Sequence, residues 1–143
     1  MKPFEFENHT ADIKIVARGK TLEEAFENTA IATFEAMTNT KKIREATREN
    51  IQIHTKKLDA LLYDFIDELI FLMDTKAFLL KKFENTKITK SKKGYTLHTT
   101  SIGDIQKNTD QYDVTSYIKS PTYNDMNITK KENYYKITFV PDI

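Results

Sequence analysis

The chain of 143 residues contains no cysteine and only three glycines, at positions 19, 94 and 103. Without cysteine it can form no disulfide, no thiol nucleophile and no zinc site with cysteine ligands. Three scattered glycines cannot build a glycine-rich phosphate loop, which excludes a P-loop and a Rossmann dinucleotide fingerprint. No apolar run reaches about 18 residues and no signal-peptide pattern opens the chain, so we expect a soluble, cytoplasmic protein that is not in a membrane.

The net charge is also close to zero, because the chain has 22 basic and 21 acidic residues and a formal charge of +1. A general nucleic-acid-binding protein usually carries a clear basic excess, so this balance argues against that class and leaves only local patches open. At this length we predict one domain, residues 1–143, that buries roughly two-thirds of its extended surface and needs no covalent cross-link.

Two stretches have the apolar spacing of amphipathic helices. The first is predicted over residues 21–38, where Thr21-Leu22-Glu23-Glu24 forms a capping box at the start and Asn39 can end the helix. The second is predicted over residues 57–74. Its polar face could be an acidic site, but a solvated helix face is the favoured interpretation; the residues concerned are Asp59, Asp64, Asp67 and Glu68.

Alternating apolar residues predict short strands at 4–6, 13–17 and 51–53, and a series of strands from residue 78 onward. The polar stretches 41–49 and 104–113 are predicted to be loops, the second of them mobile.

A hairpin turn with a basic tip is predicted at Lys90-Ser91-Lys92-Lys93-Gly94. Solubility is the simpler explanation for such a tip, and a contact with RNA or an acidic partner is the alternative. Hairpin-length spacing of the later strands implies antiparallel pairing. The predicted fold class is therefore α+β, with two amphipathic helices packed on one face of a largely antiparallel β-sheet.

Acidic residues stand near both ends of the chain, in Asn8-His9-Thr10-Ala11-Asp12 and in Pro141-Asp142-Ile143. If the first and last strands are neighbours, the Asp12 and Asp142 side chains and the terminal carboxylate of Ile143 could converge. Three such oxygen donors suit Ca²⁺ or Mg²⁺. Spacing alone, however, favours unrelated surface charges.

Five blocks of this sequence together resemble the archease family, and they occur in the family's order from end to end. The resemblance implies a small accessory protein rather than an independent enzyme. It would activate an RtcB-type RNA ligase that joins tRNA exons, by promoting the ligase's guanylylated histidine intermediate and so its repeated turnover. The blocks are His9–Asp12, Thr21–Phe26, Leu61–Leu69, Ile118–Tyr123 and Pro141–Ile143.

The resemblance also implies a divalent metal, typically Ca²⁺ with Mg²⁺ or Mn²⁺ as alternatives, at Asp12, Asp142 and Ile143, and a functional lysine at Lys119. These groups supply fewer than the six to eight oxygens that Ca²⁺ prefers, so water or a partner must complete the shell. His9 either orients the Asp12 strand through a hydrogen bond or is a direct ligand, and the first is favoured.

The chain departs from the family in one block, because the family often has Ala-Val-Thr-Tyr-His where residues 120–124 read Ser-Pro-Thr-Tyr-Asn. Any role of that histidine is therefore not carried over to Asn124. Pro121 also lacks a backbone donor, which suits a strand edge or a bulge.

Two other functions stay open at this point. The first is a chaperone-like modulator of tRNA-processing proteins such as a tRNA methyltransferase, which would use exposed apolar surface. The second is a metal-dependent hydrolase using Asp12, Asp142 and His9, which is disfavoured because no general base with a supporting partner is apparent. Whether the protein touches RNA directly is not decided by these patterns.

Overall fold

The computed structural model describes residues 1–8, 13–107 and 111–143, and these contain two α-helices and seven β-strands. None of the helices in these ranges is long and apolar enough to cross a membrane. In chain order the elements are β1 (Phe4–Asn8), β2 (Ile13–Gly19), α1 (Leu22–Glu35), a 3₁₀ turn (Thr40–Lys42), β3 (Thr47–Thr55), α2 (Leu58–Lys76), β4 (Phe78–Ser91), β5 (Gly94–Ile105), β6 (Asn127–Lys130) and β7 (Tyr135–Phe139).

One sheet, which we call the terminal sheet, is assembled from both ends of the chain in the order β1-β2-β7-β6. All its pairings are antiparallel, and the register of β2 on β7 sets Ile15 opposite Phe139 and Ala17 opposite Ile137. Because β2 and β7 run in opposite directions, the start of β2 lies beside the end of β7. The chain terminus follows directly from that end.

The second sheet, which we call the central sheet, comes from the middle of the chain in the order β3-β5-β4 and is also antiparallel. The predicted hairpin turn is confirmed, with Ser91 and Gly94 as the last paired residues on either side of it. The predicted α+β class with two helices on antiparallel strands is thus confirmed, and the strands are divided between two sheets.

A continuous hydrophobic core joins the two sheets through the helices. Phe65 of α2 is fully buried, and its ring lies 6.1 Å from Phe26 of α1 and 5.4 Å from Phe83 of β4, measured between centroids. The same core takes Ile15 from the terminal sheet and Leu97 from the central sheet. The apolar stripes that predicted both helices therefore face one shared interior.

The capping box of α1 forms nearly as predicted. The Thr21 hydroxyl accepts the Glu24 amide at 3.0 Å, while the Glu24 carboxylate accepts the Lys20 amide at 3.2 Å, one residue before the cap. The helix ends at Glu35, earlier than predicted. Asn39 does not end it but caps the 3₁₀ turn that follows, where its side chain accepts the Lys41 amide at 3.1 Å.

Two predicted loops are partly wrong. Strand β3 begins at Thr47, inside the expected 41–49 loop. Its first residues are polar and pair with β5, and the Arg48 side chain faces solvent. Because no apolar alternation marks this part of the strand, the sequence pattern did not predict it. In the 104–113 stretch, Asp104 and Ile105 still belong to β5, and Asp104 is buried. Residues 108–110 lie outside the described ranges.

Candidate functional site

The segment 119–124 runs antiparallel to the end of the chain. The Lys119 amide donates to the Asp142 carbonyl at 2.8 Å, and the Asp142 amide donates to the Ser120 carbonyl at 2.9 Å. Two residues further along, the Thr122 hydroxyl donates to the Val140 carbonyl at 2.5 Å. These bonds hold Lys119 and Asp142 together although 23 positions separate them in the sequence.

Each of these segments has a buried residue close to its exposed polar group, which explains why the polar groups are presented outward. Ile118 and Val140 are only 1% and 2% exposed, and the Ile118 amide lies 3.2 Å from the sulfur of Met37, which follows α1. Lys119 and Asp142 are exposed. We call this exposed group, Lys119, Asp142 and Ile143, the terminal site.

Within the described ranges, no salt bridge neutralises the charges of the terminal site. No salt bridge joins Lys119 or the Asp142 side chain to another residue of the described ranges. Those ranges also contain no group of three or more histidine, cysteine, aspartate or glutamate side chains able to hold a metal. The Asp142 and Ile143 carboxyl groups are donors of the type that Ca²⁺ and Mg²⁺ prefer, but they require further ligands.

Asp12 and His9, the other two predicted site residues, lie outside the described residues, so their part in the site stays a prediction. The sheet register bears on Asp12 only indirectly. Ile15 pairs with Phe139, and continuing that register by two residues would set Ile13 opposite Pro141. The condition for convergence was that the first and last strands are neighbours. The first strand, β1, is not beside β7, but β2, which begins directly after Asp12, is. The convergence itself stays a prediction.

The segment that carries Lys119 also carries Tyr123, which belongs to an aromatic pair that the sequence patterns did not indicate. Tyr123 stacks on Tyr63 of α2 with ring centroids 4.6 Å apart and ring planes 16° apart. Partial burial, together with the negative charges of Asp59 and Asp64, raises the pKa of Tyr123 above its ordinary value. Both aspartates are exposed, as predicted for the polar face of α2.

A buried polar pair within the expected 104–113 loop was also missed. The Tyr112 hydroxyl donates to Asp104 Oδ2 at 2.6 Å and accepts the Arg44 amide at 3.2 Å. Tyr112 also lines an open cavity of about 960 Å³ beside the end of α1. No sequence signal could have revealed it, because one aspartate and one tyrosine in a polar stretch have no characteristic spacing.

Comparison with known proteins gives matches over the whole chain. The family model "Archease protein family (MTH1598/TM1083)" matches residues 4–143. The Protein archease of Sulfurisphaera tokodaii is 38% identical over 143 residues, with all of both chains covered.

Two solved structures share the fold. The solution structure of Methanobacterium thermoautotrophicum Protein 1598 is 35% identical with a TM-score of 0.85, and the match covers all of both chains. A Thermotoga maritima crystal structure, described as an archease and possible chaperone, has a TM-score of 0.62 with 94% of this chain and 93% of that one covered. At 17% identity it shows the fold alone.

The two helices on two antiparallel sheets, matched end to end at equal length, define an archease-type fold. The chain belongs to the archease family. The resemblance carried by the five sequence blocks is therefore confirmed.

Proposed function

We propose that the protein activates an RtcB-type RNA ligase in tRNA splicing, as an accessory protein of the cytoplasm that promotes guanylylation of the ligase and its repeated turnover. The observation that carries the proposal is the pairing of Lys119 with Asp142 at an exposed chain end, in a member of the archease family. An exposed ammonium and carboxylate without salt-bridge partners in the described ranges are suited to enter the charged site of another protein.

A divalent cation, Ca²⁺ first and Mg²⁺ or Mn²⁺ as alternatives, is proposed to bind between Asp12, Asp142 and Ile143. These residues are of the right type, because carboxyl oxygens are the ligands these ions prefer. They leave coordination positions of the ion for water or a group of the ligase. When bound, the cation would supply positive charge for a nucleotide phosphate. His9 is proposed to orient Asp12 through a hydrogen bond.

The chain's own part in this function is positioning. Lys119 lies on a segment fixed by two backbone hydrogen bonds to Asp142, so its ammonium group and the metal-binding carboxylate approach the partner together. The buried Ile118 and Val140 anchor both segments. A phosphate of the ligase's nucleotide could then meet both positive groups without rearrangement of this chain.

Multiple-turnover ligation with the cognate ligase tests the proposal. Asp12→Ala, Asp142→Ala and Lys119→Ala should each reduce the stimulation at least tenfold, whereas the matched control Asp74→Ala, an exposed aspartate on α2, should not. Titration calorimetry with Ca²⁺ on the same variants measures their metal affinity separately from the stimulation of the ligase. Full stimulation by the Asp12→Ala and Asp142→Ala proteins would show that the proposed site is wrong.

The alternative function is a chaperone-like modulator of tRNA-processing enzymes such as a tRNA methyltransferase. Exposed apolar side chains favour it, since Phe71 is 56% and Tyr117 57% exposed. Suppression of client aggregation that survives Asp142→Ala and is lost in Phe71→Ser would support this function over ligase activation.

A further inference from the structure

A lysine-lined cleft lies at one end of the central sheet, where the β4–β5 turn meets the end of β3. Its volume is about 380 Å³. We call it the lysine cleft and define it by its charged and aromatic walls, which are Lys56, Lys90, Lys92, Lys93 and Tyr95. The sequence already indicated the basic turn, but Lys56 comes from a different strand connection and joins it only in the folded protein.

Gly94 is the reason that the two lysine-bearing segments can meet. Its φ is +121°, and a Cβ atom there would stand 2.2 Å from the Thr55 carbonyl oxygen and 2.9 Å from Lys56 Cα. Both atoms belong to the backbone and cannot move aside cheaply. Only glycine therefore allows the turn to lie against the end of β3.

Two further contacts involve the lysine-bearing turn, one at the Lys93 backbone and one at the Lys90 side chain. His54 Nε2 lies 3.0 Å from the Lys93 carbonyl oxygen while Nδ1 lies 2.8 Å from the Thr96 hydroxyl. Since a carbonyl only accepts, Nε2 is the donor in the first bond. On the opposite wall, Lys90 Nζ lies 5.7 Å from the Tyr95 ring centroid, within range of a cation–π contact.

None of the cleft lysines forms a salt bridge within the described ranges. The salt bridges there involve Arg18, Arg48, Lys76 and Lys82 and none of the cleft lysines. The positive charges of lysines gathered around one concavity create a mutual repulsion. A bound anion would remove it.

The solvent face of the central sheet leads away from His54, which contacts the lysine-bearing turn, and this face carries hydrogen-bonding groups. Along one row, His98 of β5 pairs with Gln52 on one side and with Lys87 on the other, and all three are exposed. The opposite face of the sheet is the apolar one, with Ile51 and Leu97 in the core. A protein partner would need apolar anchors on the open face, whereas phosphates and sugars need donors such as these.

We propose that the lysine cleft and the adjoining sheet face bind the phosphodiester backbone of RNA. This goes beyond ligase activation, because the interaction needs no ligase and uses none of the residues of the terminal site. It is compatible with the balanced overall charge, since the positive groups are gathered locally. The contacts are to the backbone, so binding should be strongly salt-dependent and weakly sequence-dependent.

Fluorescence anisotropy with a fluorescein-labelled RNA stem-loop and the full chain tests the proposal. Wild-type binding should weaken as salt rises from about 50 to about 200 mM. In Lys92→Gln/Lys93→Gln, the slope of log affinity against log salt should fall by about 1.4–1.8, since each phosphate contact contributes about 0.7–0.9. Affinity at the lower salt concentration should fall about tenfold or more.

The turn between β6 and β7 supplies a matched control. Lys130→Gln/Lys131→Gln also removes two charges from a hairpin, and Lys130 Nζ lies 5.9 Å from the Tyr135 ring in a similar contact. This variant should bind RNA like the wild type. Absence of wild-type binding, or equal weakening by both double variants, would overturn the proposal.

Two competitor arms separate the sources of negative charge. Competition by a DNA stem-loop of the same sequence supports a backbone contact, and weaker competition by DNA than by RNA adds a contact to the 2′-hydroxyl. Competition by polyglutamate equal to that of RNA at the same charge concentration would instead assign the cleft to an acidic protein partner and overturn the proposal.

Discussion

The two sheets of this protein are built in opposite ways. Every pairing of the central sheet lies within residues 47–105, and its β4–β5 hairpin is local. The terminal sheet depends on the pairing of β2 with β7, in which Ile15 lies opposite Phe139, 124 positions away in the sequence. The locally built sheet carries the lysine cleft, and the sheet built from the two chain ends carries the terminal site.

This difference shows which kind of site can be predicted from the sequence and which kind needs the structure. Local pairing brings together groups that are already near in sequence, so the basic turn was visible as a run of lysines. Long-range pairing of β2 with β7 brings the start of β2 beside the end of the chain, which no local pattern relates, and it carries a larger loop-closure entropy. The shared core must supply the stability that this pairing requires.

Phe65→Ala should have the largest effect on both sheets, because the Phe65 ring contacts α1 and β4 in the shared core. We expect the free energy of unfolding to fall by about 3–5 kcal/mol. Urea unfolding followed by circular dichroism measures it. Phe71→Ala, at a ring 56% exposed, is the control and should change stability by less than about 0.5 kcal/mol.

Hydrogen exchange on Phe65→Ala tests whether the two sheets form one cooperative unit. If they do, amides of β2 and β5 should lose protection equally, and loss of protection in one sheet alone would show that the sheets unfold separately.

Tyr112→Phe tests the connection between the central sheet and the segment leading to Lys119. It removes the hydroxyl that donates to buried Asp104, and should cost about 1–3 kcal/mol because the carboxylate keeps fewer partners. Urea unfolding beside Tyr117→Phe, an exposed tyrosine, measures the effect. An equal effect of both substitutions would contradict a role for the buried bond.

The same pair predicts a pH dependence. Burial, and then the hydrogen bond to Asp104, raises the pKa of Tyr112, so the folded protein holds the phenol proton more tightly than the unfolded chain does. Its contribution is complete below the ordinary tyrosine pKa of about 10 and is lost as pH rises through the raised value. The stability difference between wild type and Tyr112→Phe should therefore shrink above about pH 10.

Thr21→Ala should have a smaller effect, about 1 kcal/mol, because it removes the hydroxyl that accepts the Glu24 amide at the start of α1. This helix follows directly from the terminal sheet, so thermal unfolding tests how far a local signal supports that sheet. Thr21→Ser keeps the hydroxyl and should restore most of the stability. No difference between the alanine and serine proteins would show that the cap contributes nothing.

Glu27→Gln should have the smallest effect, a slight stabilisation at pH 7. Burial raises the pKa of Glu27, the Thr86 hydrogen bond opposes that shift, and the Glu24 and Glu23 charges add to it. The ionised form is thus disfavoured in the folded protein, and the gain should vanish below the ordinary value near 4.5. Chemical unfolding at pH 7 and again below the ordinary glutamate pKa measures this difference in stability. Glu132→Gln, at an exposed glutamate, is the control.

The sequence by itself determined the helices, most strands, the hairpin turn and the family. Apolar periodicity and the Thr21 capping box are consequences of local geometry, so they survive without knowledge of the fold. It did not reveal β3 from Thr47 or the burial of Asp104, because polar residues can pair or be buried only when a distant partner satisfies them.

Tertiary structure alone decided which groups share a site. Lys119 meets Asp142, Tyr123 meets Tyr63, and Lys56 meets the lysine-bearing turn through contacts between segments far apart in the chain. Side-chain patterns specify which face of an element is buried, but the partner of each element is selected by the packing of the whole core. For this reason the residue types predicted which ligands and charges each site offers. The β2–β7 register and the close approach at Gly94 decided where in the fold those groups come together.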